Sequence, residues 1–315
     1  MPASRISFLS LALLASSAPA TAANLSRIGI SVGALDNPFY QALARGAVQA
    51  AHRLNPAVRV TSQSANFTLE QQQEQLRRLI AQKVDLILLG AVDSRAVAPL
   101  VRQARAAGIT VVAVDVDAAD VDGTVKSDNR QAGEIVCRYL AQRLNGRGTL
   151  VVQGGPPITS VSDRAAGCHA ALAAFPRIHA VDDGINAQGS SLGGQRAMQQ
   201  ALLRWPDLAA VFAINDRQAL GAEKALRAAG RKQALIGSVD GSPDIERALK
   251  LSGQIVASAS QSPYLIGREA VKLGARLRDG DATTRQVTVP VGLVTRDNLS
   301  RYQGWQAAMP SAAQP

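Results

Sequence analysis

The sequence predicts an α/β protein made of two doubly wound parallel-sheet lobes joined by a multi-strand hinge. Three observations point there. From Arg27 onward, short β-branched runs alternate with segments of helical periodicity, the signature of βαβ units and a parallel sheet. The rhythm runs through one set of four units and then repeats over a second set of similar length. Aromatic residues make up 3% of the chain and hydrophobic residues 47%, so the cores are aliphatic, which suits parallel sheets covered on both faces by alanine-rich helices.

Ahead of the first strand, residues 1–23 read as an export signal. Arg5 supplies a positive charge, Ile6–Ala15 is nearly all apolar, and Ala20-Thr21-Ala22 offers a small-residue cleavage pattern, with Ala23 an equal alternative as the last residue removed. A membrane anchor is the other reading, but spanning a bilayer takes about 20 apolar residues and this run has about 10. The mature chain is expected to start near Asn24. No later stretch is long and apolar enough to span a membrane, so the mature protein is expected to be soluble. About 290 of the 315 residues then remain, enough for two domains with a core each.

In the first lobe, strands are expected near Arg27–Ser31, Val58–Ser62, Val84–Leu89 and Thr110–Val114. Between them, Pro38–Leu54 opens with proline in the first turn and carries Phe39, Leu43, Ala47, Val48 and Ala51 at helical spacing. Thr68–Gln82 places Thr68 three residues before Gln71, a capping-box spacing, and aligns Leu69, Leu76, Leu79 and Ile80. Asp93–Ala107 starts at a capping aspartate and stops before Gly108.

The second lobe repeats the pattern. Helices are expected at Asn129–Leu144, Asp163–Ala174, Leu192–Arg204 and Arg217–Ala229, with strands at Thr149–Gln153, Ile178–Asp182, Ala209–Ile214 and Ala234–Val239. After Gln254–Ser260, a helix Pro263–Arg278 and a strand Val287–Val294 remain, enough to complete one lobe and cross back to the other. The expected division is residues 24–127 plus 262–291 for the first lobe and 128–261 plus 292–310 for the second. No low-complexity linker separates them, so several short crossings act as a hinge. Ala307–Pro315 reads as a loose end.

The net charge of +10, one less without Arg5, raises the question of nucleic acid. Its distribution argues against that partner. Arg77, Arg102, Arg143, Arg204 and Arg227 are isolated cations on helix faces, interleaved with acids. Cys137 and Cys168 each fall in a predicted helix, and the two helices flank one strand. In an oxidising compartment they either pair or remain two buried thiols acting as small apolar side chains.

In open parallel sheets, ligands bind beyond the carboxyl ends of the strands. The residues there form a consistent polar set. Asp36, Asn37, Phe39 and Tyr40 follow the first strand, Asp93 the third, and Asp115 and Asp117 the fourth. In the second lobe they are Asp163 and Arg164, Asn215 and Asp216, and Asp240, with Gln261 at a predicted crossing. Carboxylates, amides and a guanidinium pair with adjacent hydroxyls, and an aromatic face covers the C–H face of a sugar ring. For any single aspartate after a strand, helix capping is the simpler reading, and for Phe39 alone it is core packing. The joint pattern is what points to a polyhydroxy ligand.

Five motifs in order then resemble the ribose-type periplasmic sugar-binding proteins, the type I solute-binding components of ABC importers. They are Asn37-Pro38-Phe39-Tyr40, Ser127-Asp128-Asn129, Asp163-Arg164-Ala165-Ala166-Gly167, Ala213-Ile214-Asn215-Asp216 with Ala219-Leu220-Gly221, and Val239-Asp240-Gly241-Ser242-Pro243-Asp244. The resemblance covers nearly the whole mature chain. It implies a type I periplasmic binding protein fold, a periplasmic location, no cofactor or metal, a monomer, and an ABC transporter permease as partner. It also implies that Asn37, Phe39, Tyr40 and Asp115 line the first lobe's side of a cleft, that Arg164, Asn215 and Asp240 line the second, and that Gln261 makes a hinge-side contact. Asp117 joins this candidate set as a second acid.

Two departures bear on specificity. Where ribose binders carry arginine after the fourth-strand acid, this chain reads Asp115-Val116-Asp117, and near Gln188 and Gly189 a further aromatic is missing. Another pentose, a hexose or a sugar alcohol fits as well as ribose. The resemblance also includes a cysteine pair in some relatives, which favours pairing of Cys137 with Cys168.

Three rival readings make different demands on the sequence. A repressor sharing this core would carry a helix-turn-helix of about 50 to 60 residues where the export signal is predicted. An enzyme would need a nucleophile with a base, yet the histidines, His52, His169 and His179, are placed in helix or helix-flanking positions, and no G-x-S-x-G, Walker A or G-x-G-x-x-G pattern is present. A ligand-sensing subunit for a chemoreceptor or sensor kinase is the alternative that keeps the binding fold.

Overall fold

The computed structural model describes residues 25–305 apart from positions 252 and 282. The expected export signal, its cleavage site near Ala22 or Ala23 and the loose end at Ala307–Pro315 lie outside these residues.

The chain runs β1 (Arg27–Val32), α1 (Pro38–Leu54), β2 (Arg59–Ser64), α2 (Leu69–Ala81), β3 (Leu86–Leu89), α3 (Ala98–Ala106), β4 (Thr110–Val114) and β5 (Gly123–Ser127). It continues through α4 (Asn129–Arg143), β6 (Arg147–Gln153), α5 (Thr159–Leu172), β7 (Arg177–Asp182), α6 (Ser191–Arg204) and β8 (Ala210–Ala213). Then come α7 (Asp216–Ala228), β9 (Leu235–Asp240), α8 (Pro243–Lys250), β10 (Ile255–Ser260), α9 (Pro263–Arg278), β11 (Gln286–Val289), β12 (Gly292–Thr295) and a 3-10 helix (Arg296–Arg301).

These strands form two six-stranded sheets, ordered β2-β1-β3-β4-β5-β11 and β7-β6-β8-β9-β10-β12. The first is parallel throughout; in the second only β12 runs antiparallel, against β10. The central strands explain the aliphatic composition. Leu86-Ile87-Leu88-Leu89 and Ala210-Val211-Phe212-Ala213 are buried at every position because helices cover both faces. In the first lobe one face packs on α1 and α9 and the other on α2 and α3; in the second the layers are α4 with α5, and α6 with α7 and α8.

Three helix pairs pack backbone to backbone. Gly46 and Gly267 join α1 to α9, Gly133 and Gly167 join α4 to α5, and Gly194 and Gly221 join α6 to α7. A Cβ at any of these six positions would strike a carbonyl of the facing helix. The α4–α5 pair is also stapled by a disulfide between Cys137 and Cys168, with Cα atoms 5.0 Å apart.

Several boundaries differ from expectation. Asp93 does not begin a helix: its carboxylate accepts from the backbone N–H groups of Arg95 and Ala96, capping a turn that leads to α3 at Ala98. Helix α5 starts at Thr159, four residues before Asp163. Thr68 makes no capping bond: its hydroxyl turns to the carbonyl of Asn66, and Gln71 turns its amide to the carbonyl of Ser64. His179 lies on β7. The predicted strand Val287–Val294 is two strands in different sheets, and Pro290 falls in the break between them. Short β5 and the eight-residue α8 were not anticipated.

The chain passes between the sheets after β5, after β10 and between β11 and β12. Crossings of this kind are where one lobe can rotate against the other with little change elsewhere.

Candidate functional site

The carboxyl ends of both sheets converge on one cavity between the lobes, the place where open parallel sheets take their ligands. Eight of the nine predicted site residues line it: Asn37, Phe39, Tyr40, Asp115, Arg164, Asn215, Asp240 and Gln261.

Local structure explains their placement. Asn37 caps α1, its side chain accepting from the N–H of Phe39 at 3.0 Å, and Pro38 starts the helix, so Phe39 and Tyr40 point into the lobe interface within the first turn. Tyr40 donates its hydroxyl to Asp115 Oδ2 at 2.9 Å. Asn215 caps α7 by accepting from Gln218 N–H and donates Nδ2 to the carbonyl of Gly189 at 3.0 Å. Asp115 and Asp240 close β4 and β9 with φ of +68° and +134°. Non-glycine residues rarely adopt positive φ, and such strain concentrates at ligand sites. The two acids occupy equivalent strand ends in the two lobes.

Arg164 organises the second wall. It is 5% exposed; its Nε donates to Asn129 Oδ1 at 2.9 Å, Nη1 to the carbonyl of Ile214 at 2.7 Å and Nη2 to Gln261 Oε1 at 3.0 Å. Its Nη1 lies 3.8 Å from Asp240 Oδ1. The guanidinium has five N–H groups, so part of its fork stays available to a ligand. Asp115 Oδ1 and Gln261 Nε2 are buried without a protein partner, one an acceptor and the other a donor. Hydroxyl groups, which both donate and accept, satisfy such a mixture.

Burial dominates the electrostatics. It raises the Asp115 carboxyl above its ordinary range, with Arg164 and the Tyr40 hydroxyl partly opposing. Asp240 is pushed up further, first by burial and next by the charge of Asp216 behind it. Asp216 itself rises to about 6 against the pull of donors from Ser238, Ser242 and Ser258. Tyr40 is raised by burial and then by Asp115.

Asp117 is the exception among the predicted residues. Its carboxylate pairs with Lys126 at 2.5 Å and its N–H donates to Thr159 Oγ1 across the cleft at 2.8 Å, so it stands at the rim and not in the cavity wall. Asp117 lies three residues past the end of β4, and the positive φ of Asp115 turns the chain away from the strand direction before it is reached. Other contacts show the lobes closed on each other. Arg217 reaches Asp36 at 3.1 Å, and Lys126 lies 3.8 Å from Asp163. Phe67, Pro156, Ile158, Ser160 and Val161, which the sequence does not point to, complete the lining together with Gly189 and Ile214. Phe67 follows β2, and Ile158 and Ser160 follow β6, so an even-handed search of every strand end would have reached them.

A cavity built by two doubly wound sheets, lined by polar groups from both and shut by contacts across the rim, defines a two-lobed ligand-capturing protein. A family model described as periplasmic binding protein domain matches residues 28–282, and the chain belongs to that family. The ribose import binding protein of Bacillus subtilis is 31% identical over 273 residues, covering 85% of this chain and 87% of its own length. That of Salmonella typhimurium is 31% identical over 292 residues, covering 91% and 97%. A solved ABC transporter solute binding protein from Mycobacterium smegmatis with bound glycerol superposes with a TM-score of 0.82 at 30% identity, covering 88% of this chain and 96% of that one.

Proposed function

We propose that this protein is a periplasmic receptor that captures a monosaccharide or sugar alcohol by hinge closure and hands it to the permease of an ABC importer. The observation that carries this reading is the unsatisfied pair at the cavity, Asp115 Oδ1 and Gln261 Nε2, beside the spare N–H groups of Arg164. Buried polar atoms left unpaired are costly, and a polyhydroxy ligand pairs them without bringing a charge of its own. Phe39 and Phe67 supply apolar faces for the C–H side of such a ligand.

The two lobes, expected at residues 24–127 with 262–291 and at 128–261 with 292–310, move against each other, except that Trp305 packs in the core of the first. Ligand contacts both walls only when they meet, so binding shifts the population toward the closed form that the transporter accepts. The receptor works as a monomer, without cofactor, after removal of residues 1–23 in the periplasm. It binds and does not catalyse, a role supported by the relatives, which are import binding proteins.

A thermal-shift screen of the mature protein against pentoses, hexoses, cyclitols and linear polyols tests the reading. At least one compound raises the melting temperature in a concentration-dependent way. A panel without any such compound rules out the sugar and polyol class.

A further inference from the structure

Beyond the 3-10 helix of the second lobe the chain turns at Gly304, φ +67°, and returns to the first. Trp305 is 7% exposed and belongs to the first lobe's core, its ring set edge-on to Phe39 at a centroid distance of 6.0 Å. The indole Nε1 donates to the carbonyl of Asp240, in the second lobe, at 2.8 Å. Tyr302 donates its hydroxyl to the next carbonyl, that of Gly241, at 2.7 Å. Neither ring lines the cavity.

The segment they hold is the one least able to hold itself. Asp240 has φ +134° and Gly241 +66°, and only glycine tolerates such values freely. A free Asp240 relaxes toward negative φ and turns its carboxylate out of the cavity. Two aromatic donors on consecutive carbonyls oppose that relaxation, supported by Gln261 N–H on Asp240 and Ser258 Oγ on Gly241 N–H. Trp305 thus fixes two cavity residues from opposite lobes: it backs the ring of Phe39 and grips the main chain of Asp240.

We propose that Tyr302 and Trp305 form a C-terminal strap that holds Asp240 in its ligand-facing conformation and docks it on Phe39, so that ligand capture depends on the tail. The strap's effect on affinity rests on the cavity reading above; its effect on the backbone does not.

Trp305→Phe and Tyr302→Phe each keep a ring and remove one donor. In the ligand-free full-length mature chain, amide hydrogen exchange at residues 240–242 and 261 accelerates about five- to tenfold in either variant, while exchange in the sheet cores is unchanged. Titration with D-ribose, myo-inositol and glycerol gives a Kd weakened about fivefold for whichever binds the wild type. Wild-type exchange at 240–242 in both variants overturns the strap, as does faster exchange with unaltered Kd. If exchange accelerates but neither these probes nor any compound of the thermal-shift panel binds the wild type, the backbone role of the strap stands and the cavity reading fails.

Discussion

The first lobe brings the aromatic side chains of the cavity, Phe39, Tyr40 and Phe67, with Asn37 and one carboxylate, Asp115, whereas the second brings Arg164, Asn215, Asp240 and Gln261 beside aliphatic residues such as Ile158 and Ile214. The two halves share a sheet order and divide the chemistry. In the second lobe the polar groups are wired together, Arg164 alone reaching Asn129, Ile214 and Gln261. In the first, Asp115 has one partner on Oδ2 and none on Oδ1. The second wall is therefore the more preorganised of the two, while Asp115 Oδ1 in the first and Gln261 Nε2 in the second remain for a ligand to pair. The reinforcement is asymmetric too: one of the three glycine-paired helix contacts lies in the first lobe, two lie in the second, and the disulfide staples one of those two.

Arg164→Ala breaks the preorganised wall and has the largest effect. It leaves Asp240 and Gln261 buried without their cation, so stability falls by about 3 to 5 kcal/mol, and ligand binding becomes undetectable by calorimetry. A variant of wild-type affinity places the wiring of this wall outside ligand recognition. Second in size is the staple. The disulfide spans 31 residues, and such a loop contributes about 3 kcal/mol by restricting the unfolded chain. The Cys137→Ala/Cys168→Ala double variant melts about 5 to 10 °C lower, with its ligand affinity little changed because neither residue touches the cavity. Mass spectrometry of the unreduced mature protein finds no free thiol.

A smaller effect separates the lobes by pH. Asp216 sits behind the second wall, and its carboxyl moves from 3.8 to about 6 on folding. Between those values the folded state holds more protons than the unfolded one, so its stability is greatest at low pH and declines as pH rises through the window. Asp115 and Asp240, raised as well, add to the decline. The melting temperature of ligand-free protein should therefore fall less steeply from pH 4 to 6 in Asp216→Asn than in the wild type. Parallel curves would remove Asp216 from the account. Smallest of all is Asp117→Asn. The residue is a rim ion pair, 44% exposed at its side chain, and pairs of that kind contribute under about 1 kcal/mol. Affinity within about threefold of wild type is expected, and a larger loss restores Asp117 to the ligand set.

The fold was largely legible because βαβ periodicity is local: each helix and strand carries its own spacing of apolar residues. What escaped was short or shared. Strand β5 offers five residues, Gly-Thr-Val-Lys-Ser, that alternate in burial but lack a β-branched run, and α8 spans two turns. Val287–Val294 was read as one strand although Pro290 interrupts it, because the run itself does not reveal that two sheets divide it. The site was legible where a strand end or helix cap dictates position, as at Asn37, Asp115, Asn215 and Asp240. It was not legible where position depends on lobe closure. Ile158 packs with the first lobe's α2–α3 core only across the cleft, and nothing local tells that Trp305 crosses back to Phe39.

Closure around a ligand is the central claim, and small-angle X-ray scattering of the mature protein measures it directly. With a saturating concentration of the sugar or polyol found by thermal shift, the radius of gyration decreases, and the same compound leaves Arg164→Ala unchanged. Superimposable curves for free and saturated wild type, with ligand occupancy confirmed by calorimetry, would contradict capture by hinge closure.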